Sequence, residues 1–192
     1  MSNKINRRTF IKTAATAGGA AAILPQTLFS SGKKKKVKVG FIGTGLRGQW
    51  MLWLASKYHE VEIPAICDID NGMIENALKI LKDGGKPVPH IYKNGEEDFL
   101  NMLRNEELDG VYIATPWEWH HPMAVAAMKS GIHVGTEVPA ALTVDECWDL
   151  VNTSEKTGKL CMIMENVCYR RDVMAIVNMV RQNMFGELLH CQ

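Results

Sequence analysis

VKVGFIGTGLRGQ, residues 37–49, places a short apolar strand directly before a glycine-rich turn and the first turns of a helix. Gly43, Gly45 and Gly48 have the spacing G-x-G-x-x-G, which is informative when a strand precedes it and a helix follows. The first glycine makes the tight turn, the second lets a pyrophosphate approach the backbone, and the third lets the helix pack closely on the strand. The N–H groups at the helix start attract phosphate. The stretch therefore predicts a dinucleotide-binding loop.

An aspartate follows this loop at the distance that such sites require. Asp68 lies twenty residues beyond Gly48, at the end of the second predicted strand, residues 61–69. A carboxylate in this position accepts hydrogen bonds from the hydroxyls of an adenosine ribose. Since it also repels a 2′-phosphate, it favours NAD over NADP as the cofactor. The alternative is a glycine-rich turn followed by an incidental aspartate.

Strands and helices alternate along the rest of the chain. The predicted strands cover residues 37–43, 61–69, 91–92, 110–116, 133–139 and 159–166. The predicted helices, identified by apolar residues at helical spacing, cover residues 46–58, 72–83, 96–106, 121–131, 145–157 and 171–183. Thr143 and Glu146 form a capping box before the fifth helix. The alternation predicts an α/β fold, a doubly wound parallel sheet of the Rossmann type with helices on both faces.

The sequence divides into three predicted segments. Residues 1–32 are interpreted as a signal and linker, residues 33–166 as an NAD-binding Rossmann domain, and residues 167–192 as the beginning of a truncated α+β domain. The last seven residues, from Gly186 to Gln192, have the pattern of a new strand, and no partner strand follows them. Because a strand needs a paired neighbour, we expect this sequence to be the first part of a longer protein.

Charge is unevenly distributed between the start of the chain and the remainder. Residues 1–36 contain eight Lys or Arg and no Asp or Glu, which leaves 14 basic against 21 acidic residues, a net charge of −7, for the remainder. An acidic body argues against a nucleic-acid-binding protein, since such binding needs clustered Lys and Arg. The four lysines at 33–36 are interpreted as a solvated linker.

The basic start has the features of an export signal. Arg7 and Arg8 precede a short apolar run of small residues, TAATAGGAAAIL at 13–24, which ends at Pro25. This order is typical of a signal peptide, and the paired arginines indicate the twin-arginine route. The run is too short and too rich in Ala and Gly to span a bilayer, so we expect an exported, periplasmic protein without a membrane segment. A disordered tail with a chance Arg-Arg pair is the alternative.

Cysteine and histidine patterns argue against disulfides and metal sites. Five cysteines, an odd number, occur without any C-x-x-C motif, and Cys67 and Cys161 lie in predicted buried strands. His120 and His121 are adjacent, so their side chains would point apart, and no third ligand follows at helical spacing. The sequence therefore predicts neither a disulfide framework nor a bound metal.

Polar residues follow three further strands at the same edge of the predicted sheet. The candidates are Trp117, Glu118, Trp119 and His120 after the fourth strand, Glu137 beside Val138 at the end of the fifth, and Asn166 at the end of the sixth. Because ligands bind at the carboxyl ends of the strands in open α/β sheets, these residues are expected around a nicotinamide. The stretch 169–171 could belong to the same site or could start a helix that packs the second domain.

Four stretches together resemble a known family. VKVGFIGTGLRGQ, ATPWEWHHP, HVGTEVPAALT and MENVCYRRDV are similar to the Gfo/Idh/MocA oxidoreductase-like superfamily, and within it to glycoside hydrolase family 109, the NAD-dependent α-N-acetylgalactosaminidases. The resemblance runs from about Val37 to Gln192. It implies NAD as the cofactor, bound by Leu46 and Arg47 in addition to the glycines, Asp68 and the candidates at the strand ends.

Val138 is the position at which this sequence departs from many dehydrogenases of the superfamily. They carry Glu-Lys-Pro where this chain has Glu137-Val138-Pro139, and the lysine serves proton transfer during alcohol oxidation. A valine has no proton to transfer. The resemblance to family 109 therefore implies a site that uses NAD without net dehydrogenation.

The chemistry that the resemblance implies differs from that of typical glycosidases, which place two carboxylates across the bond. NAD oxidises the C3 hydroxyl of the sugar, the acidified C2 proton is removed, the C1 leaving group is eliminated, water adds, and the hydride returns. The substrate-binding and acid/base residues of the family should lie beyond Gln192. This stretch alone is therefore not expected to hydrolyse a glycoside.

Three functions compete on the sequence. The first is a retaining NAD-dependent glycosidase acting on terminal α-N-acetylgalactosamine, the second an NAD-dependent sugar dehydrogenase of the same superfamily, and the third a non-catalytic dinucleotide-binding protein. The expected partners are a glycan substrate, the C-terminal domain of the same chain and further copies in a homo-oligomer.

Overall fold

The computed structural model describes residues 36–187 and His190. The predicted export signal in residues 1–32 lies outside the described residues, and so do residues 188, 189, 191 and 192 of the strand expected at the end of the sequence.

The sheet in the described part of the chain is parallel throughout. Its strands are β1 Val37–Ile42, β2 Val61–Glu62, β3 Ala65–Cys67, β4 His90–Tyr92, β5 Gly110–Ile113, β6 His133–Thr136 and β7 Cys161–Ile163. Their order is β4-β3-β1-β5-β6-β7, and β2 also pairs with β1. With β2 and β3 taken as one interrupted strand, this is the doubly wound order 3-2-1-4-5-6 of dinucleotide-binding sheets. The predicted fold class is confirmed.

Helices follow the strands as the periodicity predicts, with shifted bounds. They are α1 Leu46–Ser56, α2 Asn71–Asp83, α3 Phe99–Asn105, α4 Trp117–Lys129, α5 Val144–Thr157 and α6 Arg171–Arg181, with a 3-10 turn over Val167–Tyr169.

Alternate residues of the central strands point to opposite faces of the sheet. On one face Ile42 and Ile113 pack with the buried side of α3 and α4. On the other face Phe41 and Tyr112 pack with Leu52 of α1 and with α2. Because both faces are covered by helices, these strands read as continuous apolar runs rather than as alternating ones.

The second predicted strand is two strands, which corrects the expectation of one strand over 61–69. β2 pairs with β1 at an offset of 24 residues, since Val37 lies opposite Val61, whereas β3 pairs at an offset of 25. One extra residue is therefore inserted between β2 and β3, as in a β-bulge. Pro64 lies at this point and has no N–H to donate to the ladder.

The helix predicted over 121–131 begins earlier, at Trp117, directly after Pro116. Pro122 lies inside it, where it lacks the N–H for one intrahelical hydrogen bond. The segment WEWHH is therefore helical and not a loop after the strand. Its side chains consequently point in different directions around the helix, about 100° apart from one residue to the next.

The predicted capping box at the start of α5 is present. Thr143 Oγ1 accepts a hydrogen bond from the N–H of Glu146 at 3.2 Å, and Glu146 Oε2 accepts one from the N–H of Thr143 at 3.1 Å. The N–H of Leu142 also donates to Glu146, at 2.7 Å, and this bond holds the pKa of the Glu146 carboxyl below its usual value. Gly158 ends the helix in the left-handed region, at φ +65°.

Replacing Thr143 with alanine is expected to lower the free energy of unfolding by about 1 kcal/mol, because an N–H in the first turn loses its acceptor. Thr143→Ser keeps the hydroxyl and should unfold like the wild type. Urea denaturation of the purified protein measures both variants. Equal stability of the alanine variant and the wild type would mean that α5 does not depend on this cap.

An apolar surface lies at the β7 end of the described structure. Met162 and Ile163 of this edge strand are 46% and 52% exposed. Helix α6 is amphipathic, yet none of its residues is buried, and Met174 and Ile176 are about half exposed.

None of the helices in the described residues is long and apolar enough to cross a membrane.

Candidate dinucleotide-binding site

A cleft of about 510 Å³ lies at the carboxyl edge of the sheet, beyond the ends of β1, β3 and β5. The strand order reverses between β1 and β5, and open α/β sheets bind their ligands at such a point. Six of the residues predicted to contact a cofactor line this cleft: Gly43, Gly45, Leu46, Asp68, Glu118 and Trp119.

The glycine loop has the geometry that its spacing requires. Gly43 has φ +86°, and a Cβ on it would lie 2.7 Å from the carbonyl carbon and oxygen of Ala114. A Cβ on Gly48 would overlap the carbonyl oxygen of Gly43, so α1 packs closely on the loop. A Cβ on Gly45, in contrast, would meet nothing within 4 Å. Gly43 and Gly48 therefore permit the close packing of the loop, and Gly45 leaves the loop backbone open to the cleft.

Asp68 follows β3 and is bound to the glycine loop. Its Oδ2 accepts hydrogen bonds from the N–H of Thr44 at 2.6 Å and from the hydroxyl of Thr44 at 3.0 Å. Its Oδ1 accepts one from the N–H of Asp70 at 2.9 Å. The N–H of Gly43 donates to the carbonyl oxygen of Cys67 at 2.8 Å. Hydrogen bonds thus join Gly43 to Cys67 and Thr44 to Asp68, so the loop is held to the end of β3.

Arg47, Tyr112 and Glu137 form a hydrogen-bonded cluster that joins α1, β5 and the residue after β6. Arg47 Nε donates to Glu137 Oε1 at 2.7 Å, and the Tyr112 hydroxyl donates to the same oxygen. The Glu137 side chain is 14% exposed, so the guanidinium compensates a carboxylate that is largely removed from water. The hydrogen bond to Glu137 raises the pKa of Arg47. Burial, followed by the bond to Glu137, raises the pKa of Tyr112, so both groups remain donors.

The tryptophans and the glutamate at the start of α4 divide between the cleft and the surface. Glu118 and Trp119 line the cleft. Trp119 also packs edge-on against Phe99 of α3, with the ring centroids 6.3 Å apart, and this contact fixes the wall of the cleft to the core. Trp117 is 61% exposed and does not line the cleft.

The two adjacent histidines, His120 and His121, contact hydrogen-bonding groups on neighbouring loops and on α5. His120 is 1% exposed, and its ring nitrogens lie 2.6 Å from the carbonyl oxygen of Pro139 and 2.8 Å from that of Thr115. A neutral imidazole donates to one of these at a time, and the ring lies between the loops after β5 and β6. His121 Nε2 lies 2.9 Å from Asp149 Oδ2 on α5. The described residues contain no group of three or more His, Cys, Asp or Glu placed to hold a metal.

The remaining candidates lie away from the cleft. Val138 is 44% exposed and precedes Pro139 through a cis peptide bond. Asn166 is exposed and precedes the 3-10 turn. The predicted contacts outside the cleft lining are Arg47, Gly48, Trp117, His120, Glu137, Val138 and Asn166. The cleft lining thus includes most of the residues predicted at the glycine loop and the ribose, whereas most of those predicted at the nicotinamide lie outside it.

Several residues at the site were missed by sequence reasoning. Gly95, with φ +110°, and Glu96 follow β4 and line the cleft. The pair Asn94-Gly95 after a predicted strand is a turn signal at the same edge of the sheet, and it could have identified them. Thr44, which binds Asp68, carries no such signal because the motif leaves its position unspecified.

The buried cysteine at the cleft behaves as a small apolar residue. Burial raises the pKa of the Cys67 thiol to about 12, so it remains protonated at neutral pH. Burial also raises the pKa of Cys161. Among the described residues, Cys67, Cys147, Cys161 and Cys168 are free thiols.

Comparison with known proteins identifies the family. Residues 37–165 match the oxidoreductase family with the NAD-binding Rossmann fold. The chain belongs to the Gfo/Idh/MocA oxidoreductase family. Residues 169–192 of this family member match the C-terminal domain of glycosyl hydrolase 109. The first match ends at residue 165 and the second begins at residue 169.

The relatives of this oxidoreductase-family chain include glycosidases. A glycosyl hydrolase family 109 protein of Parabacteroides distasonis is 50% identical to it over 200 residues, and an alpha-N-acetylgalactosaminidase of Tannerella forsythia is 49% identical over 203 residues. Both matches cover 96% of this chain and 43% of the relative, so the chain spans less than half of their length. An NAD-binding protein from Listeria innocua has a similar structure, with a TM-score of 0.65 at 28% identity, over 81% of this chain and 43% of that protein. The resemblance to glycoside hydrolase family 109 is confirmed.

Proposed function

We propose that the full-length protein is an NAD-dependent glycoside hydrolase that releases terminal α-N-acetylgalactosamine with retention of configuration. The similarity to an alpha-N-acetylgalactosaminidase over 96% of this chain supports the substrate class. The match of residues 169–192 to the C-terminal domain of glycosyl hydrolase 109 supports the reaction class. Since the chain spans 43% of that relative, we expect the residues that contact the sugar to lie beyond Gln192.

The glycine loop is the observation that carries the NAD-dependent part of the proposal. Gly45 leaves the loop backbone open to the cleft at the start of α1, where unpaired N–H groups favour a pyrophosphate. Asp68 lines the same cleft, where a carboxylate accepts hydrogen bonds from ribose hydroxyls. No Lys or Arg is found among the described residues that line the cleft, so nothing there would compensate a 2′-phosphate. The residues therefore fit NAD better than NADP.

The part of the reaction that these residues would serve is the binding and orientation of the cofactor. NAD held there would supply a reversible hydride acceptor for C3 of the sugar. The loop 43–48 would hold the pyrophosphate, and Asp68 the adenosine ribose. Trp119 and Met123 give the cleft an apolar wall. The cluster of Arg47 and Glu137 fixes the residue after β6 to the start of α1.

Val138 leaves this chain without a proton acceptor at the position where many dehydrogenases of the superfamily carry a lysine. Oxidation of an alcohol requires a group that accepts the hydroxyl proton, and a lysine or histidine commonly serves. Val138 has no such group, and neither Lys nor His is found among the described residues that line the cleft. The proposed cycle places proton transfer on residues of the second domain.

The test is an assay of the full-length protein with an α-N-acetylgalactosaminide that carries a chromogenic leaving group. Leaving-group release and NADH absorbance are followed in the same sample. We expect release without net NADH, because the hydride returns to the sugar in each turnover. Release should stop when NAD is removed from the protein and resume when NAD is restored.

Two other outcomes of this assay would point to the competing functions. Accumulation of NADH without release of the leaving group would indicate a sugar dehydrogenase of the same family. Tight binding of NAD without turnover of any sugar would indicate a dinucleotide-binding protein without catalytic activity. Either result would contradict the proposed glycosidase.

A further inference from the structure

Thr44, between the first two glycines of the loop, has all of its polar groups engaged. It is 0% exposed. Its N–H and its hydroxyl both donate to Asp68 Oδ2, at 2.6 Å and 3.0 Å, and its carbonyl oxygen accepts from Gln49 Nε2 at 2.9 Å. It does not line the cleft. A threonine with this geometry acts on a ligand only through the carboxylate that it holds.

We propose that Thr44 is a positioning residue that sets the preference for NAD over NADP by fixing the orientation of the Asp68 carboxylate. This inference rests on the proposed function in one respect, since it requires Asp68 to contact the adenosine ribose. It goes beyond that function by assigning the discrimination to a buried hydroxyl outside the cleft.

The hydrogen bonds of Asp68 determine which of its oxygens can receive a ligand. A carboxylate has about two acceptor positions on each oxygen. The two donors of Thr44 occupy both positions on Oδ2, and the N–H of Asp70 occupies one on Oδ1. The described residues therefore leave one acceptor position, on Oδ1, and a ribose hydroxyl is directed to that oxygen.

The bonds from Thr44 also prevent the carboxylate from avoiding a 2′-phosphate. Asp68 is only partly buried, so its side chain could otherwise turn towards water and reduce the repulsion. Glu96 and Glu118 are the other charged residues among those described in the cleft lining, and both are acidic. With Thr44 in place, the 2′-phosphate of NADP would meet the Asp68 carboxylate. This carboxylate could not turn away, and the described residues of the cleft lining offer it no positive charge.

The test compares the affinities of NAD and NADP in the full-length protein after removal of bound cofactor. Thr44→Val removes the hydroxyl at nearly constant volume and keeps the N–H. We expect the ratio of the Kd for NADP to the Kd for NAD, measured by titration calorimetry, to fall about tenfold, which equals about 1.4 kcal/mol and is typical of one hydrogen bond to a charged acceptor. General loosening of the loop would weaken both cofactors equally, because both contain the pyrophosphate. An unchanged ratio would overturn the proposal.

Three further variants separate the explanations. Thr44→Ser keeps the hydroxyl and should retain the wild-type ratio; a fall in its ratio would contradict the proposal. Thr44→Ala must reproduce the fall of the valine variant, and circular dichroism establishes that each variant is folded. Asp68→Ala should abolish the preference. If it does not, Asp68 does not contact the ribose and the proposed cofactor site is wrong. If Asp68→Ala loses the preference but Thr44→Val keeps the wild-type ratio of Kd values, only the role of Thr44 is refuted.

Discussion

Replacing Gly48 with alanine is expected to lower the free energy of unfolding by about 3 kcal/mol and to weaken NAD binding about 100-fold, since overpacking strains the structure and displaces the loop. The new Cβ would overlap the carbonyl oxygen of Gly43 and lie 3.0 Å from its carbonyl carbon. The loop has little room to move, because Gly43 lies against the backbone of Ala114 and its N–H is bonded to Cys67. Urea denaturation and titration with NAD measure the two effects.

Gly45→Ala is the matched control within the same loop. Gly45 has φ −64°, which any residue adopts, and its Cβ would meet nothing within 4 Å. We expect the stability to change by less than about 1 kcal/mol, whereas NAD should bind more weakly because the methyl group occupies the space left for the pyrophosphate. Wild-type NAD affinity in Gly45→Ala would show that the dinucleotide does not approach the loop there. Wild-type stability in Gly48→Ala would show that the loop can shift.

Replacing Arg47 with methionine is expected to lower the free energy of unfolding by about 2 kcal/mol. Loss of one partner from a buried ion pair costs about 3–5 kcal/mol, and the smaller figure reflects partial access of water to this pair. Arg47 is 37% exposed at its side chain, whereas Glu137 is 14% exposed and would keep, among the described residues, the Tyr112 hydroxyl as its side-chain donor. The measurement is again the midpoint and slope of urea denaturation.

Two controls show whether the loss arises from the unpaired carboxylate. The double variant with Glu137→Gln should recover most of the stability lost in Arg47→Met, because a neutral amide needs no counter-charge. Arg170→Met removes an arginine whose partner Asp172 is 56% exposed, and it should unfold like the wild type. A double variant no more stable than Arg47→Met would mean that the loss does not arise from the unpaired carboxylate. Arg47 would then stabilise the protein through other contacts, such as that with Trp50, whose ring centroid lies 5.3 Å from the guanidinium carbon.

The local features of this protein were predictable, because each depends on residues close together in the sequence. The glycine spacing requires only the strand before it and the helix after it, and the structure gives Gly43 the positive φ that a tight turn needs. The capping box between Thr143 and Glu146 spans three residues. The alternation of apolar segments was enough to predict a parallel sheet with a helix after each strand, because each segment must bury an apolar face.

Element bounds were less predictable, and errors in them moved side chains away from the expected site. Trp117 and His120 were expected together at a strand end, but α4 begins at Trp117 and places them almost one helical turn apart. Trp117, in the first turn, is exposed, whereas His120 is buried between two loops. The bulge at Pro64 similarly follows from pairing with β1, which periodicity alone does not reveal.

The sequence by itself determined the fold class, the glycine loop, the carboxylate after β3 and the family, since these are patterns of residue type at fixed short spacing. Only the tertiary structure decided which side chains meet. Arg47 and Glu137 are 90 residues apart, and Thr44 and Asp68 are 24 apart. Such pairs form because parallel strands bring their carboxyl ends to one edge, and whether two side chains there touch depends on register, helix start and rotamer, which are set by packing of the whole domain.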